Sequence, residues 1–500
     1  MNTFSRRLSS LLHDICPLPI EGAIDRPIAS LILDSRQVKK NDLFIAVKGT
    51  QADGRNYIDQ AIAKGAIAIL LDADNTHEVI TWRESVPLIP IYHLSAKLGQ
   101  LAARFYDHPV RHLRMMGVTG TNGKTSCTHF IAQALQSLQH PCGIIGSLGN
   151  GFYGALGPVG LTTPDPISLH AELHAFRMQH AEAVAMEVSS HSIDQGRVND
   201  IPFEVGIFTN LTQDHLDYHG DMQTYANVKR RFLAEMPVKH LILNVDDAYG
   251  KRWQHELRGQ KSIFAYSTQP TISSDVPLIY TSHIALSLHG IKAYMHTPWG
   301  EGEFTLPLIG QFNLSNALAV LTALCVYGIP FSDALEQLNY LKAVPGRMQT
   351  LGGGGKPLVV VDYSHAPDCL EKALQALRGH TKGKLICVFG CGGNRDTGKR
   401  PLMAKIAEQL ADYVIVTNDN PRHEDPEVIV QQILQGFADP SRVTVQLDRS
   451  KAIENSIQWA SAGDCVLIAG KGAEHYQQIG DEKIPFDDVE QATHYLSKRQ

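Results

Sequence analysis

Short apolar runs alternate with longer stretches in which leucine, isoleucine and alanine recur at helical spacing, along the whole chain. LFIAV (43–47) and AIAILL (66–71) predict strands, with YIDQAIAKG between them as a helix, so the N-terminal segment reads as a small α/β unit. SAKLGQLAARFYDHP predicts an amphipathic helix leading into the next unit. There MMGVTG precedes the helical FIAQALQSL, and AEAVAMEVSS and FEVGIFTNL predict further strands. NLSNALAVLTALCVYG (313–328) is strongly apolar and predicts a buried helix. Four consecutive glycines (352–355) follow; they cannot pack and cost backbone entropy to order, which predicts a turn or hinge.

The C-terminal part has the plainest pattern. LICVFG, YVIVTN, RVTVQL and CVLIAG alternate with the helical RPLMAKIAEQLA and PEVIVQQILQGF, which predicts a doubly wound sheet. Ligands of such sheets bind beyond the carboxyl ends of the strands, so GCGGNR (390–395), NDNPR (418–422) and GKGAE (470–474) are the segments to watch. Five hundred residues fit about three domains, and the pattern divides as 1–97, 98–343 and 344–500.

Composition narrows the class. With 43% hydrophobic and 19% charged residues the chain is globular, which excludes disordered and collagenous proteins. Lysine and arginine total 45 against 51 acidic residues, a net charge of −6 that argues against a broad nucleic-acid surface but allows a local phosphate pocket. The 8 cysteines are scattered without a CxxC pair, which fits a reducing cytosol rather than a disulfide or zinc framework. Arg6 and Arg7 begin like a signal peptide, but His13 and Asp14 interrupt the apolar run. No stretch approaches the ~18 apolar residues of a membrane span, so a soluble cytoplasmic protein without membrane insertion is expected.

GVTGTNGKTS (117–126) carries the strongest chemistry. An apolar strand runs into a glycine-rich turn, and Lys124 and Thr125 then open an apolar helix. Glycines let backbone N–H groups approach phosphate oxygens, and the helix N-terminus adds the positive end of its dipole. Lys124 would meet the terminal phosphates and Thr125 could hold Mg²⁺ through its hydroxyl. Val118 stands where the GxxxxGK[ST] pattern has glycine. Elsewhere the residues alone leave alternatives open. Glu187 of AMEVSSH ends an apolar strand, where a carboxylate can bind Mg²⁺ or merely terminate the strand. His215 reads as a surface or cap histidine, Lys229 beside Arg230 and Arg231 as a solvated basic face, and Asn313 as a helix cap.

GTNGKT with the upstream GVT resembles the Mur ligase family, whose members use ATP to join an amino acid to a carboxylate and count folylpolyglutamate synthetase among their relatives. The resemblance runs from about residue 30 to 490. It implies an α/β fold of three domains: a small α/β N-terminal domain, a central P-loop ATPase-like α/β domain and a C-terminal doubly wound, Rossmann-like domain. It implies ATP contacts at Gly120, Thr121, Asn122, Gly123, Lys124, Thr125 and Ser126, at Asn313 of GQFNLSNALA, and at Asp362 and His365 of DYSHAPD. With the glycine run between them, the last two groups would grip ATP from two domains. Catalysis falls by resemblance to Lys124, Glu187, His215 and Lys229, with Thr125, Glu187, His215 and a carbamylated Lys229 as magnesium ligands.

LDSRQVKKNDLFIAVKGTQADG (33–54) is similar to the segment with which family members that add a diamino acid hold the UDP end of their substrate, through Leu33, Ser35, Thr50, Gln51 and Ala52. Leu161, Thr162 and Thr163 of LTTPDP, with Ser189, Gln195 and Arg197 of SSHSIDQGR, would hold the muramoyl-peptide part. Leu161 departs from the asparagine often found there. DNPR is the motif of members adding meso-diaminopimelate, whose extra carboxylate an arginine can select by a bidentate pair. Asp419, Asn420, Pro421 and Arg422, with Arg395, Gly470 and Glu474, would form that pocket. Ala473 replaces the histidine of the usual GKGHE.

The resemblance thus implies a monomeric ligase with ATP and Mg²⁺, taking UDP-MurNAc-L-Ala-D-Glu and meso-diaminopimelate, with no nucleic acid as partner. The lysine-adding ligase of the same family, a non-catalytic nucleotide-gated binding protein and a simple P-loop kinase remain the alternatives.

Overall fold

The structure, a computed structural model, describes residues 5–49, 52–158, 160–270, 274–287 and 289–499. It divides into two compact units, one of Met1–Lys124, Leu138–Leu241 and Gly259–Ser262, the other of Thr125–Ser137, Ile242–Arg258 and Ile263–Gln500.

The first unit contains a five-stranded sheet ordered Leu31–Ile32, Leu43–Ala46, Ala68–Ala73, Val86–Tyr92 and Thr81–Arg83, with only the last antiparallel. Both predicted strands are present. YIDQAIAKG begins as a single 3₁₀ turn, Gly54–Tyr57, before the helix Ile58–Ala63. Leu43, Ile45, Leu70, Ile89 and Ile91 turn one face of this sheet toward Leu94, Leu98, Leu101 and Phe105 of the helix Leu94–Phe105. That buried stripe is what the helical spacing at 95–109 encodes.

The same unit carries the parallel strands that matter most. Arg114–Thr119 lies between Ala183–Glu187 and Phe203–Phe208, in a register that pairs Val118 with Glu187 and Thr119 with Phe208. Parallel strands in this register finish together, so three loops emerge side by side at one edge. All three strands are buried almost throughout, as a sheet covered on both faces requires.

The second unit contains a six-stranded sheet in the order Gln349–Gly352, Leu358–Asp362, Cys465–Ala469, Leu385–Phe389, Tyr413–Val416 and Thr444–Val445. All neighbours are parallel except the first pair. Val360, Cys387, Val416 and Leu467 face one core while Val361, Ile386, Ile415 and Ile468 face another. Alternate residues of each strand therefore bury on opposite sides, which is the doubly wound arrangement. The strand from RVTVQL is only two residues long.

One expectation changes here. The glycine run is no hinge between domains: Gln349–Gly352 and Leu358–Asp362 are the two arms of one hairpin, and Gly352, Gly353 and Gly354 turn its tip at φ of +76°, +85° and +66°. Glycine is required there because the left-handed region strains any residue with a Cβ. The chain also forms the antiparallel strands Leu278–Ser287, Gly290–Thr297 and Gly300–Leu306, whose polar faces leave no continuous apolar run. NLSNALAVLTALCVYG forms the helix Gln311–Tyr327, buried nearly throughout as expected.

Candidate active site

The strand Arg114–Thr119 leads through Gly120–Gly123 into the helix that starts at Lys124, the arrangement its sequence predicts. Gly120 and Gly123 take φ of +145° and +88°. A Cβ on Gly120 would collide with the Thr209 hydroxyl, so the close approach of the next strand's loop depends on glycine. That loop holds the phosphate loop in shape. The Thr121 N–H donates to the Asn210 carbonyl at 2.8 Å, the Asn122 N–H to Asn210 Oδ1 at 3.0 Å, and the Thr209 hydroxyl to the Asn122 carbonyl at 2.6 Å. Thr121 Oγ1 donates to the Thr212 carbonyl at 3.1 Å and lies 3.3 Å from the Tyr225 hydroxyl. Thr125 and Ser126 are buried in the first turn of the helix.

Lys124 Nζ folds back onto the carbonyls of Gly120 and Thr121 at 3.0 and 2.8 Å. Lys229 reaches the same Gly120 carbonyl at 2.9 Å and lies 4.8 Å from the centre of the Tyr225 ring. It is buried rather than on a solvated basic face. Burial, and then the charge of Lys124, push its pKa well below the ordinary lysine value, with Asp214 opposing. An amine so desolvated is held toward its neutral, nucleophilic form.

Glu187 is buried at the end of its strand, with Oε1 accepting from the Ser147 N–H at 2.8 Å and from its hydroxyl at 3.0 Å. The carboxylate fills the place a Cβ on Gly146 would need. Its other oxygen accepts no hydrogen bond among the described residues. His215 has a left-handed backbone at φ +53°, Asp214 at 3.3 Å, and the ring of His191 at 5.0 Å. Among the described residues no three His, Cys, Asp or Glu side chains form a metal-holding group.

Next to Glu187 the sequence-predicted muramoyl-peptide residues come together. Thr163 Oγ1 donates to the Glu187 carbonyl at 2.7 Å and accepts from the Ser189 N–H at 3.3 Å, while Arg197 donates to the Thr163 carbonyl at 2.8 Å and to Gln195 Oε1 through Nε at 3.0 Å. Thr162 is half-buried and Leu161 is exposed at 58% of its surface. In the N-terminal sheet region Leu33 is half-buried, and buried Ser35 donates to Gln60 Oε1 at 2.6 Å. The Ala52 carbonyl accepts from the Gly49 N–H at 2.9 Å. Thr50 and Gln51 lie outside the described residues.

Asn313 is buried three residues past the cap of its helix, which is Gly310. Its Nδ2 donates to the Ile309 carbonyl at 2.8 Å and its Oδ1 accepts from Asn316 at 3.3 Å. Asp362 has one carboxylate oxygen accepting from the Met348 N–H at 2.8 Å and the other from the Ser364 hydroxyl. Burial raises its pKa despite those bonds. His365 is exposed, with Nδ1 2.8 Å from the Tyr363 carbonyl.

The C-terminal sheet gathers the remaining candidates. Cys465–Ala469 inserts between Leu358–Asp362 and Leu385–Phe389, so GKGAE emerges beside DYSHAPD and GCGGNR. Asn420 donates to Glu474 Oε2 at 2.8 Å and accepts from Lys471 Nζ at 2.9 Å. Arg422 takes φ +52° and donates through Nη1 to the Gly393 carbonyl at 2.8 Å. A Cβ on Gly392 would lie 2.8 Å from that same Nη1, and one on Gly470 would lie 2.5 Å from Asp419 Oδ2. Asp419, Asn420, Pro421, Arg422, Gly470 and Glu474 therefore lie together where these loops meet, and Arg395 is exposed on the GCGGNR loop.

Three family models match consecutive segments: Mur ligase family, catalytic domain, over residues 27–106; Mur ligase middle domain over 118–324; and Mur ligase, glutamate ligase domain, over 346–472. A curated relative from Coxiella burnetii, a UDP-N-acetylmuramoyl-L-alanyl-D-glutamate–2,6-diaminopimelate ligase, is 50% identical over 466 residues, covering 93% of this chain and 95% of that protein. The chain belongs to the Mur ligase family. A Pseudomonas aeruginosa protein of the same name is 48% identical over 473 residues, with coverage of 95% and 96%. A solved structure of a UDP-N-acetylmuramoyl-L-alanyl-D-glutamate–2,6-diaminopimelate ligase matches with a TM-score of 0.72 at 34% identity over 99% of each chain.

Several residues of this Mur ligase that shape the site carry no motif of their own. Ser147 holds Glu187, and Thr209, Asn210 and Tyr225 brace the phosphate loop. The hairpin of Tyr476–Ile479 and Glu482–Pro485 backs the DNPR loop, since the Arg422 N–H donates to the Gln478 carbonyl at 3.0 Å and the Gly480 N–H to the Arg422 carbonyl at 2.7 Å. The position of FTNLTQ just after a strand was the one signal available for Thr209 and Asn210.

Proposed function

We propose that this Mur ligase is an ATP-dependent ligase that joins meso-2,6-diaminopimelate to the D-glutamate γ-carboxylate of UDP-N-acetylmuramoyl-L-alanyl-D-glutamate, in the synthesis of peptidoglycan precursors. The observation that carries the reading is the joining of DNPR and GKGAE, where Asn420 and Lys471 both reach Glu474 and Arg422 lies on the Gly393 carbonyl; in this reading Asp419 and Glu474 take an ammonium group and Arg422 a carboxylate. The near-half identity to relatives of that activity supports it. Its nucleotide substrates assign the reaction to the cytoplasm, and no helix among the described residues is long and apolar enough to cross a membrane.

In this reading the loop 120–126 cradles the ATP phosphates, and Lys124 swings from its two loop carbonyls to the terminal phosphate. The γ-carboxylate attacks that phosphate and becomes an acyl phosphate, releasing ADP. Asp419 and Glu474 hold the ammonium at the far end of diaminopimelate and Arg422 the carboxylate beside it, while the other amino group, unprotonated, attacks the acyl carbon. The tetrahedral intermediate then collapses to an amide and inorganic phosphate. Asn313, Asp362 and His365 complete the hold on ATP, and Leu33, Ser35, Thr50, Gln51, Ala52, Leu161, Thr162, Thr163, Ser189, Gln195 and Arg197 hold the nucleotide-peptide.

Mg²⁺ suits this donor set, because among the described residues one Glu187 oxygen accepts no hydrogen bond, and burial pushes the Lys229 amine toward the neutral form that a carbamate requires. With Thr125 and His215 these residues would hold the metal, which when bound neutralises the phosphate charge.

The decisive experiment is phosphate release from purified protein. It should require ATP, the nucleotide-dipeptide and diaminopimelate together, with L-lysine a poor replacement. Phosphoryl transfer to the nucleotide-dipeptide with no dependence on the amino acid would identify a kinase instead, and equal turnover with lysine would remove the role of Arg422.

A further inference from the structure

Arg449 belongs to no motif, yet it is wholly buried at the start of the helix Arg449–Trp459. A buried guanidinium is costly unless its donors are matched, so its acceptors carry information. Nε and Nη2 form a bidentate pair with the two oxygens of Asp488, each at 2.7 Å, and Asp488 is buried as completely. Nη2 also donates to the Ala469 carbonyl at 3.0 Å, and Nη1 to the Asn418 carbonyl at 3.2 Å.

Those two carbonyls directly precede Gly470 and Asp419. The strands that lead to them, Cys465–Ala469 and Tyr413–Val416, are not neighbours, because Leu385–Phe389 runs between them. One rigid planar group therefore spans the end of the intervening strand and sets the separation of two loops that backbone pairing alone does not join. Burial alone would lower the pKa of Arg449, but Asp488, Asp419 and Glu474 raise it above the ordinary arginine value. The cation is thus favoured by both acids as well as by Asp488.

We propose that Arg449 is a positioning residue for amine recognition: by holding the Asn418 and Ala469 carbonyls on one guanidinium, it fixes the spacing of Asp419 and Glu474 that receives the ammonium group of the incoming amino acid. The inference rests on reading residues 419–422 and 470–474 as the diaminopimelate pocket. Lysine cannot replace arginine here, since a single ammonium cannot reproduce the planar fork that reaches three acceptor groups.

The test compares the full-length wild type with Arg449→Lys and Asp488→Asn by steady-state kinetics in each of the three substrates, with Tm measured alongside. Arg449→Lys should raise the KM for diaminopimelate by about tenfold or more, with KM for ATP and for the nucleotide-dipeptide held within about twofold. Asp488→Asn, which keeps the arginine, should give a smaller rise of the same selectivity. A fall in Tm with every KM unchanged, or an equal rise in all three, overturns the proposal. So does failure of both variants to fold, which would make the ion pair a purely structural one. If only Asp488→Asn folds, its KM for diaminopimelate decides. A wild type whose phosphate release needs no diaminopimelate would instead overturn the pocket itself, a result distinct from a dependent wild type and an unmoved variant.

Discussion

The proposed phosphate loop and the proposed amine site both sit at the carboxyl ends of parallel strands, yet they are built in opposite ways. The phosphate loop is one continuous segment whose working parts are backbone groups and a single lysine, braced by the next loop through Asn210 and Thr209. The amine site is assembled from three loops and a hairpin, and buried side chains hold it: Lys471 on Asn420, Arg449 on two strand ends, and Arg400 on the Gly392 carbonyl and Glu424. A contiguous backbone site keeps its working groups in one segment and needs its surroundings only for bracing. A composite site depends on residues remote from it, which makes its specificity the easier property to alter.

The comparison can be broken most sharply at Lys124. Replacing it by alanine should lower turnover by about a thousandfold, measured as phosphate release, while diaminopimelate binding in the C-terminal unit stays intact. Near-normal turnover would end the role given to this loop. Arg422→Lys should act oppositely, raising the KM for diaminopimelate by about ten- to a hundredfold, ~1.5–3 kcal/mol, with KM for ATP unmoved.

Acid should separate the two regions more gently. His129, on the helix Lys124–Ser137, is buried with Nδ1 unpartnered among the described residues, and burial with the charge of Arg347 holds its pKa down to about 4 against 6.5. The unfolded chain therefore takes up a proton first. Stability present above pH 6.5 is lost as pH falls toward about 4, by as much as ~3 kcal/mol. Arg449 stays charged and paired across that window. Hydrogen exchange should accordingly rise in Lys124–Ser137 before Tyr413–Val416 and Cys465–Ala469, and His129→Gln should flatten the acid limb of Tm. An unchanged limb would exclude His129 as its source.

The smallest effect belongs to the glycine hairpin. Gly354 has φ +66° and open space where a Cβ would stand, so Gly354→Asn should change stability by no more than about 0.5 kcal/mol and leave kcat unchanged. A marked loss of kcat would restore the hinge reading that the paired strands oppose.

The sequence announced the strand, turn, lysine and helix of 114–137 because phosphate binding uses local backbone geometry, which glycine spacing records directly. It announced the alternating strands and helices of the C-terminal sheet for a similar reason, since burial on both faces demands continuous apolar runs. The polar-faced strands between 278 and 306 were invisible to the same test. Lys229 looked like part of a charged surface beside Arg230 and Arg231, and only packing reveals a buried amine on the Gly120 carbonyl.

Sequence by itself determined the family, the fold class and the segments that carry chemistry, because each is written in residues close together in the chain. Tertiary structure decided what those segments meet: Ser147 on Glu187, the Tyr476–Ile479 hairpin behind Arg422, and Arg449 drawn between two strands that are not neighbours. Such contacts join positions tens of residues apart and depend on burial, which fixes pKa and hydrogen-bond partners only once the chain has closed around them.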